Sequence, residues 1–188
     1  KGYHPQAYDF PKTEQEKFEI IIGAVLTQNT SWVQVEKALL NLHALDMITP
    51  EKILDADEQI LKNVIRPAGY FNQKAQYLKN IARFVQENKD KIPSRSDLLS
   101  IKGIGNETCD TILLYAYKQC HFVVDNYTKK IFHSLGLINT SSYDEIKLLF
   151  ESSLPKDFKI YQELHALIVE HAKRYHSRQD IEDPLRKV

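Results

Sequence analysis

Apolar residues recur at three- and four-residue spacing along almost the whole chain, the pattern of amphipathic helices. Thr13 is placed to cap a first helix running to about Leu26, with Glu14 and Glu16 in the first turn, where the helix dipole favours acids. The same pattern predicts helices over residues 32–42, 50–55, 58–65, 72–88, 96–99, 106–118, 127–135, 143–154 and 156–175. Breaks at Thr49-Pro50, Arg66-Pro67-Ala68-Gly69, Ile92-Pro93-Ser94 and Leu154-Pro155 carry turn chemistry. Only residues 121–124 read as strand-like, and they are too few to found a sheet. The fold class is therefore all-α.

At 188 residues the chain can bury a sizeable core in one domain or two small lobes. Its formal net charge is zero, which argues against indiscriminate nucleic-acid binding; if the chain binds DNA, its positive charge must be local. Two cysteines, Cys109 and Cys120, are too few for a disulfide framework and fit a reducing compartment. No apolar run approaches membrane-spanning length, residues 20–26 being the longest core-like stretch. A cytoplasmic monomer, nucleoid-associated if prokaryotic, with no membrane contact is expected. The chain begins at Lys1 rather than Met, so it is expected to be trimmed, and a targeting segment ahead of it stays open.

One stretch carries chemistry. Leu98, Leu99 and Ile101 form an apolar face, and Gly103-Ile104-Gly105 makes a turn that glycine allows easily. Asn106 can cap the following helix, whose inner face carries Ile112, Leu113 and Ala116. A hairpin of this kind aims backbone N–H groups at an anion, such as a DNA phosphate. A lone Gly-x-Gly is weak evidence, because a plain helical turn looks the same. Asp125, twenty residues after Gly105 in Val123-Val-Asp125, is an independent second feature.

Ile101-Lys-Gly-Ile-Gly and Val123-Val-Asp125 together resemble the helix-hairpin-helix DNA glycosylases of the endonuclease III superfamily. The segment from Phe18 to Trp32 resembles that family's first core helix and wedge loop, and Ile65 to Ala75 the link between its middle helices. The resemblance spans about Phe10 to Tyr175 and is closest to the branch of 3-methyladenine DNA glycosylase III. It implies a two-lobed fold with a substrate cleft between the lobes. One lobe would hold residues 1–30 and 126–188, and the other residues 31–125, with the hairpin at about 94–118.

The resemblance implies that Asp125 is the catalytic carboxylate, placed where oxocarbenium charge develops as the base leaves. Its plain alternative is the N-cap of the next helix, and one carboxylate can do both. Members that also cut the backbone carry a lysine two residues beyond the second hairpin glycine, which forms a Schiff base. Glu107 stands there instead, so no lyase chemistry is expected from that position, and Glu107 reads as a base-pocket carboxylate or an ordinary first-turn acid. A monofunctional enzyme suits cationic alkylated purines, which aromatic faces attract. Trp32 and Phe10 are the pocket candidates, Tyr8 and Tyr3 weaker ones, each against simple packing.

Gln28 resembles the residue that fills the gap left by a flipped nucleotide, and otherwise is a polar helix end. Lys102, Lys129 and Lys130, with the Gly103 and Gly105 amides, are candidates for phosphate contact; Lys129 and Lys130 equally fit a solvated helix face. Similar proteins hold a structural monovalent cation at the hairpin carbonyls, which this chain is expected to be able to do. Many relatives close the last helix with four cysteines around a [4Fe–4S] cluster. Here His176 stands at the first such position and Asp183-Pro-Leu resembles a remnant of another, so no iron–sulfur cluster and no other metal are expected. His165, His171 and His176 are read as solvated or capping. The expectation is a monofunctional glycosylase of base excision repair acting on alkylated purines in damaged double-stranded DNA. A glycosylase for an oxidised pyrimidine or mismatch, or a non-catalytic helix-hairpin-helix DNA-binding module, stays open beside it.

Overall fold

The computed structural model describes residues 8–89, 91–176 and 184–187. Every regular element among them is helical. The helices are α1 (Glu14–Leu26), α2 (Trp32–Ala44), α3 (Pro50–Asp55), α4 (Glu58–Val64), α5 (Phe71–Glu87), α6 (Arg95–Leu99), α7 (Asn106–Thr111), α8 (Asn126–Ser134), α9 (Tyr143–Ser153) and α10 (Phe158–His171). None is long and apolar enough to cross a membrane.

Side-chain caps set most of the helix starts. Thr13 and Glu16 form a reciprocal capping box at α1, and Ser94 and Asp97 form another at α6. Thr49, Asp57, Ser142 and Asp157 accept hydrogen bonds from the first-turn amides of α3, α4, α9 and α10. Two predicted long helices change form partway. The helix expected over 106–118 becomes a π turn at Ile112–Ala116, where the Tyr117 amide reaches back five residues to the Ile112 carbonyl at 3.3 Å. The one expected over 156–175 is α10 followed by a second π turn, Ala172–His176. Residues 121–124 stay single because side chains take their amides: Phe122 N–H donates to Glu151 Oε1 at 2.8 Å and Val124 N–H to the Tyr143 hydroxyl at 3.4 Å.

Two cores form. The first gathers aliphatic side chains from α1 through the π turn, including Ile21, Leu42, Leu61, Leu78 and Ile112. The second is built on rings, with Phe122 stacked on Phe150 at 4.2 Å between centroids and edge-on to Tyr161 at 5.7 Å. The buried face of α1 lies in the first core, so residues 14–26 pack with the middle helices and not, as the sequence division had it, with the C-terminal ones. Ahead of α1, the Tyr8 hydroxyl donates to Glu163 of α10 at 2.9 Å.

An ionic junction joins the cores. Asp110, fully buried in α7, accepts from Arg95 Nε at 3.0 Å and lies 3.6 Å from Lys147 and 3.7 Å from His121. Arg95 also donates to Asp144 on α9, at 3.0 Å.

Candidate active site

The hairpin is held in shape by its first glycine. Gly103 has φ +101°, and a Cβ there would stand 2.2 Å from the Tyr77 ring, so both conformation and space exclude a side chain. Gly105 differs. Its backbone is extended and nothing in the protein stands within 4 Å of where a Cβ would be. Gly105, not Asn106, is the N-cap of α7; Asn106 is the first helical residue, and its Oδ1 accepts from Arg95 at 3.0 Å. The cap thus lies one residue before the expected one, and the asparagine side chain is engaged by Arg95 instead.

Gln28 is tied to this hairpin. Its Nε2 donates to the Gly103 carbonyl at 2.9 Å and to the Thr108 hydroxyl at 3.0 Å, which docks the loop after α1 onto the glycine turn. Beside it, Lys74 is buried in α5 and donates to the Leu26 and Ala68 carbonyls, both at 2.8 Å. Burial pushes its amine down to about 8. Of the basic candidates, Lys102 and Lys130 are exposed. Lys129 is engaged within the protein, its ammonium 3.3 Å from the Ser141 carbonyl and over the Tyr143 ring at 5.9 Å.

Asp125 caps α8. Its Oδ1 accepts from the Thr128 amide at 2.7 Å and the Thr128 hydroxyl at 2.8 Å, which leaves Oδ2 for other work. That oxygen faces His165 Nε2 at 3.6 Å, an ion-pair distance rather than a formed hydrogen bond. Burial alone would raise the carboxyl, but His165 beside it and the Thr128 donors outweigh burial and hold it below the usual aspartate value. Glu107 stands in the first turn of α7, near enough for the two carboxylates to repel. Its side chain touches solvent yet is crowded by protein, and that crowding, then the charge of Asp125, raises its carboxyl. Asp125 therefore stays ionised while Glu107 holds a proton more readily. A pair of carboxyls pushed apart in this way is the arrangement that acid–base chemistry uses.

The sequence reading missed His165. It is not solvated: it lies on the inner side of α10, with Nδ1 2.7 Å from the Tyr115 hydroxyl. The signal, three residues after Gln162 on one helical face, became legible only once the π turn was known. Trp32 begins α2 and is 42% exposed, its ring edge lying where a Cβ added to Gly23 would meet it at 3.8 Å; Phe10 is also 42% exposed. Neither is a core residue. Tyr3, Asp183 and the His176 side chain lie outside the described residues. Cys109 is buried beside Arg95, and burial, with Asp110 next to it, pushes its thiol up to about 12, so it is inert.

Residues 22–156 match the HhH-GPD superfamily of base excision DNA repair proteins. The chain is 51% identical over 173 residues to MJ1434 of Methanocaldococcus jannaschii, a protein assigned to the DNA repair glycosylases, covering 86% of this chain and 79% of that one. It is 29% identical over 164 residues to endonuclease III of Sulfolobus acidocaldarius, covering 84% and 73%. Among solved structures, H. pylori 3-methyladenine DNA glycosylase (MagIII) bound to 1,N6-ethenoadenine superposes with a TM-score of 0.75 at 32% identity, over 84% of this chain and 85% of that one. The fold and the paired hairpin and carboxylate are those of a helix-hairpin-helix DNA glycosylase. The chain belongs to the HhH-GPD superfamily of base excision repair proteins.

Proposed function

We propose that this protein is a monofunctional DNA N-glycosylase that flips alkylated purines, such as 3-methyladenine, out of damaged double-stranded DNA and cleaves the base from its sugar. The observation that carries the reading is the pair Glu107 and Asp125, at neighbouring helix starts with opposite pKa shifts. As the glycosidic bond breaks, the sugar gains oxocarbenium character, and the ionised Asp125 supplies opposite charge beside it. A base already cationic through N-alkylation leaves without obligatory protonation, and Glu107 is a carboxyl able to accept from or donate to it. Trp32, exposed at the start of α2, offers a stacking face. Gly105 supports close approach of a phosphate, since nothing within the protein calls for a glycine there.

The monofunctional part rests on Glu107 itself, since a carboxylate cannot form a Schiff base. A [4Fe–4S] cluster needs four thiolates, and this chain has two cysteines, one buried in α7 and one at position 120, so its residues do not fit that group. The likeness to a 3-methyladenine glycosylase supports the lesion class.

The test is release of free base from duplex DNA methylated at purines, alongside duplexes carrying oxidised pyrimidine or uracil, with borohydride present in parallel reactions. Methylpurine release with abasic sites left intact and no trapped protein–DNA adduct is expected. Preference for an uncharged lesion would overturn the substrate class, and efficient trapping would overturn the monofunctional assignment.

A further inference from the structure

His165 faces the oxygen of Asp125 that the helix cap leaves unused, and the chemistry above gives it no part. Two contacts seat it. On α10, Gln162 and His165 share a face, and Gln162 Nε2 donates to the Leu114 carbonyl at 2.9 Å while His165 Nδ1 meets the Tyr115 hydroxyl at 2.7 Å. Both partners lie in the π turn Ile112–Ala116, an element often found at functional sites, and the turn is what brings Tyr115 to the histidine. On the opposite side of the ring, Nε2 is buried with no hydrogen-bond partner and is directed at Asp125 Oδ2, 3.6 Å away.

An imidazole so placed has two tautomers. If Nδ1 carried the proton, a bare Nε2 lone pair would face an ionised carboxylate, which repels it. If the Tyr115 O–H donates to Nδ1, the ring proton sits on Nε2 and points at Asp125. The second is the favoured arrangement.

We propose that His165 is a positioning residue for Asp125: Tyr115 fixes its tautomer, and its Nε2–H orients the Asp125 oxygen that the helix cap leaves unused. The inference rests on the catalytic reading of Asp125. The Thr128 donors hold one oxygen and His165 steers the other, so the carboxylate cannot rotate away from the sugar. The gap shortens to hydrogen-bond length as positive charge develops beside the carboxylate, as catalytic contacts tighten in the bound state. The other charged groups at this corner are Glu107 from α7 and Lys129 from α8.

The experiment compares wild type with Asp125→Asn, His165→Leu, His165→Gln, Tyr115→Phe and the double variant Asp125→Asn/His165→Leu. It reads single-turnover excision on methylated duplex, Kd for that duplex, and the tautomer of His165 by long-range 1H–15N NMR of the free protein. His165→Leu is expected to slow excision about ten- to hundredfold, the scale of one hydrogen bond to a charged group. Its Kd should stay unchanged, and the acid limb of its rate–pH profile should move to higher pH, because the neighbour that holds Asp125 down is gone. His165→Gln, which keeps a donor, should recover part of the rate. In the Asp125→Asn background, His165→Leu should add nothing. NMR should show the Nε2–H tautomer in wild type and a weaker preference in Tyr115→Phe.

An Nδ1–H tautomer, or His165 variants with wild-type rate and acid limb, overturns the inference while leaving Asp125 in place. Additive losses in the double variant overturn it too. Full excision by Asp125→Asn sinks the catalytic reading instead. If His165→Leu does not fold, His165→Gln and Tyr115→Phe, which keep size and shape, carry the test through the acid limb and the tautomer.

Discussion

Two aspartates fifteen positions apart, Asp110 and Asp125, sit in environments that differ in kind. Asp110 has no exposure and faces two cations, Arg95 at 3.0 Å and Lys147 at 3.6 Å, with the His121 imidazole, pushed down by burial, at 3.7 Å. Around Asp125 stand one histidine at 3.6 Å, the two Thr128 donors and a second carboxyl, Glu107; the histidine and the threonine hold Asp125 below the usual aspartate value, while Glu107 is raised. A compensated buried carboxylate holds elements together, here α6, α7 and α9. Asp125 instead keeps one oxygen that no formed hydrogen bond occupies, and that oxygen is the one the proposed chemistry calls on. What separates the two aspartates is therefore how many fixed cations gather on each, since both are largely buried.

That contrast is open to direct attack. The largest effect is expected from Asp125→Asn, which keeps an N-cap and near-equal shape: excision should fall about 10²–10⁴-fold, with little change in Tm or in affinity for methylated duplex. Unchanged excision would erase the distinction between the two aspartates. Asp110→Asn should do the reverse. It leaves buried cations uncompensated and should cost about 3–5 kcal/mol of stability, with the excision rate per folded molecule retained; denaturant melts alongside active-site titration measure both.

Trp32→Ala touches neither carboxylate and serves as the control. Loss of one stacking face should lower methylpurine excision about ten- to hundredfold, without moving the acid limb of the pH profile. A large fall in Tm would instead make Trp32 a structural residue. The smallest effect is Glu107→Gln on stability. An acid whose folded pKa is raised destabilises the folded state once it ionises, so wild-type stability falls as pH climbs above the ordinary glutamate value. The substitution should thus raise Tm slightly at neutral pH, and the gain should vanish toward pH ~4, below the ordinary glutamate pKa. A gain that persists in acid would show that crowding and Asp125 do not act on Glu107 as described.

Much of this was legible in the sequence, for local reasons. The capped helices, the glycine hairpin and the Asp125 spacing are written in neighbouring residues, and they stand where the pattern puts them. What escaped depends on partners distant along the chain. His165 is forty residues beyond Asp125, and its helix reads as an ordinary amphipathic one. The π turn hides because five residues of apolar sequence do not distinguish one helical period from another. The cap of α7 falls at Gly105, one place before Asn106, because glycine and asparagine both cap helices and adjacent residues do not choose between them.

Lys74 has a consequence for motion. Its ammonium joins the last carbonyl of α1 to the end of the 66–68 turn, so the loop carrying Gln28 and the turn carrying the exposed Tyr70 share one anchor. Moving either away strands a charge among apolar neighbours, a cost that neither loop meets alone. The two segments are thereby coupled, and amide hydrogen exchange in them should slow or quicken together.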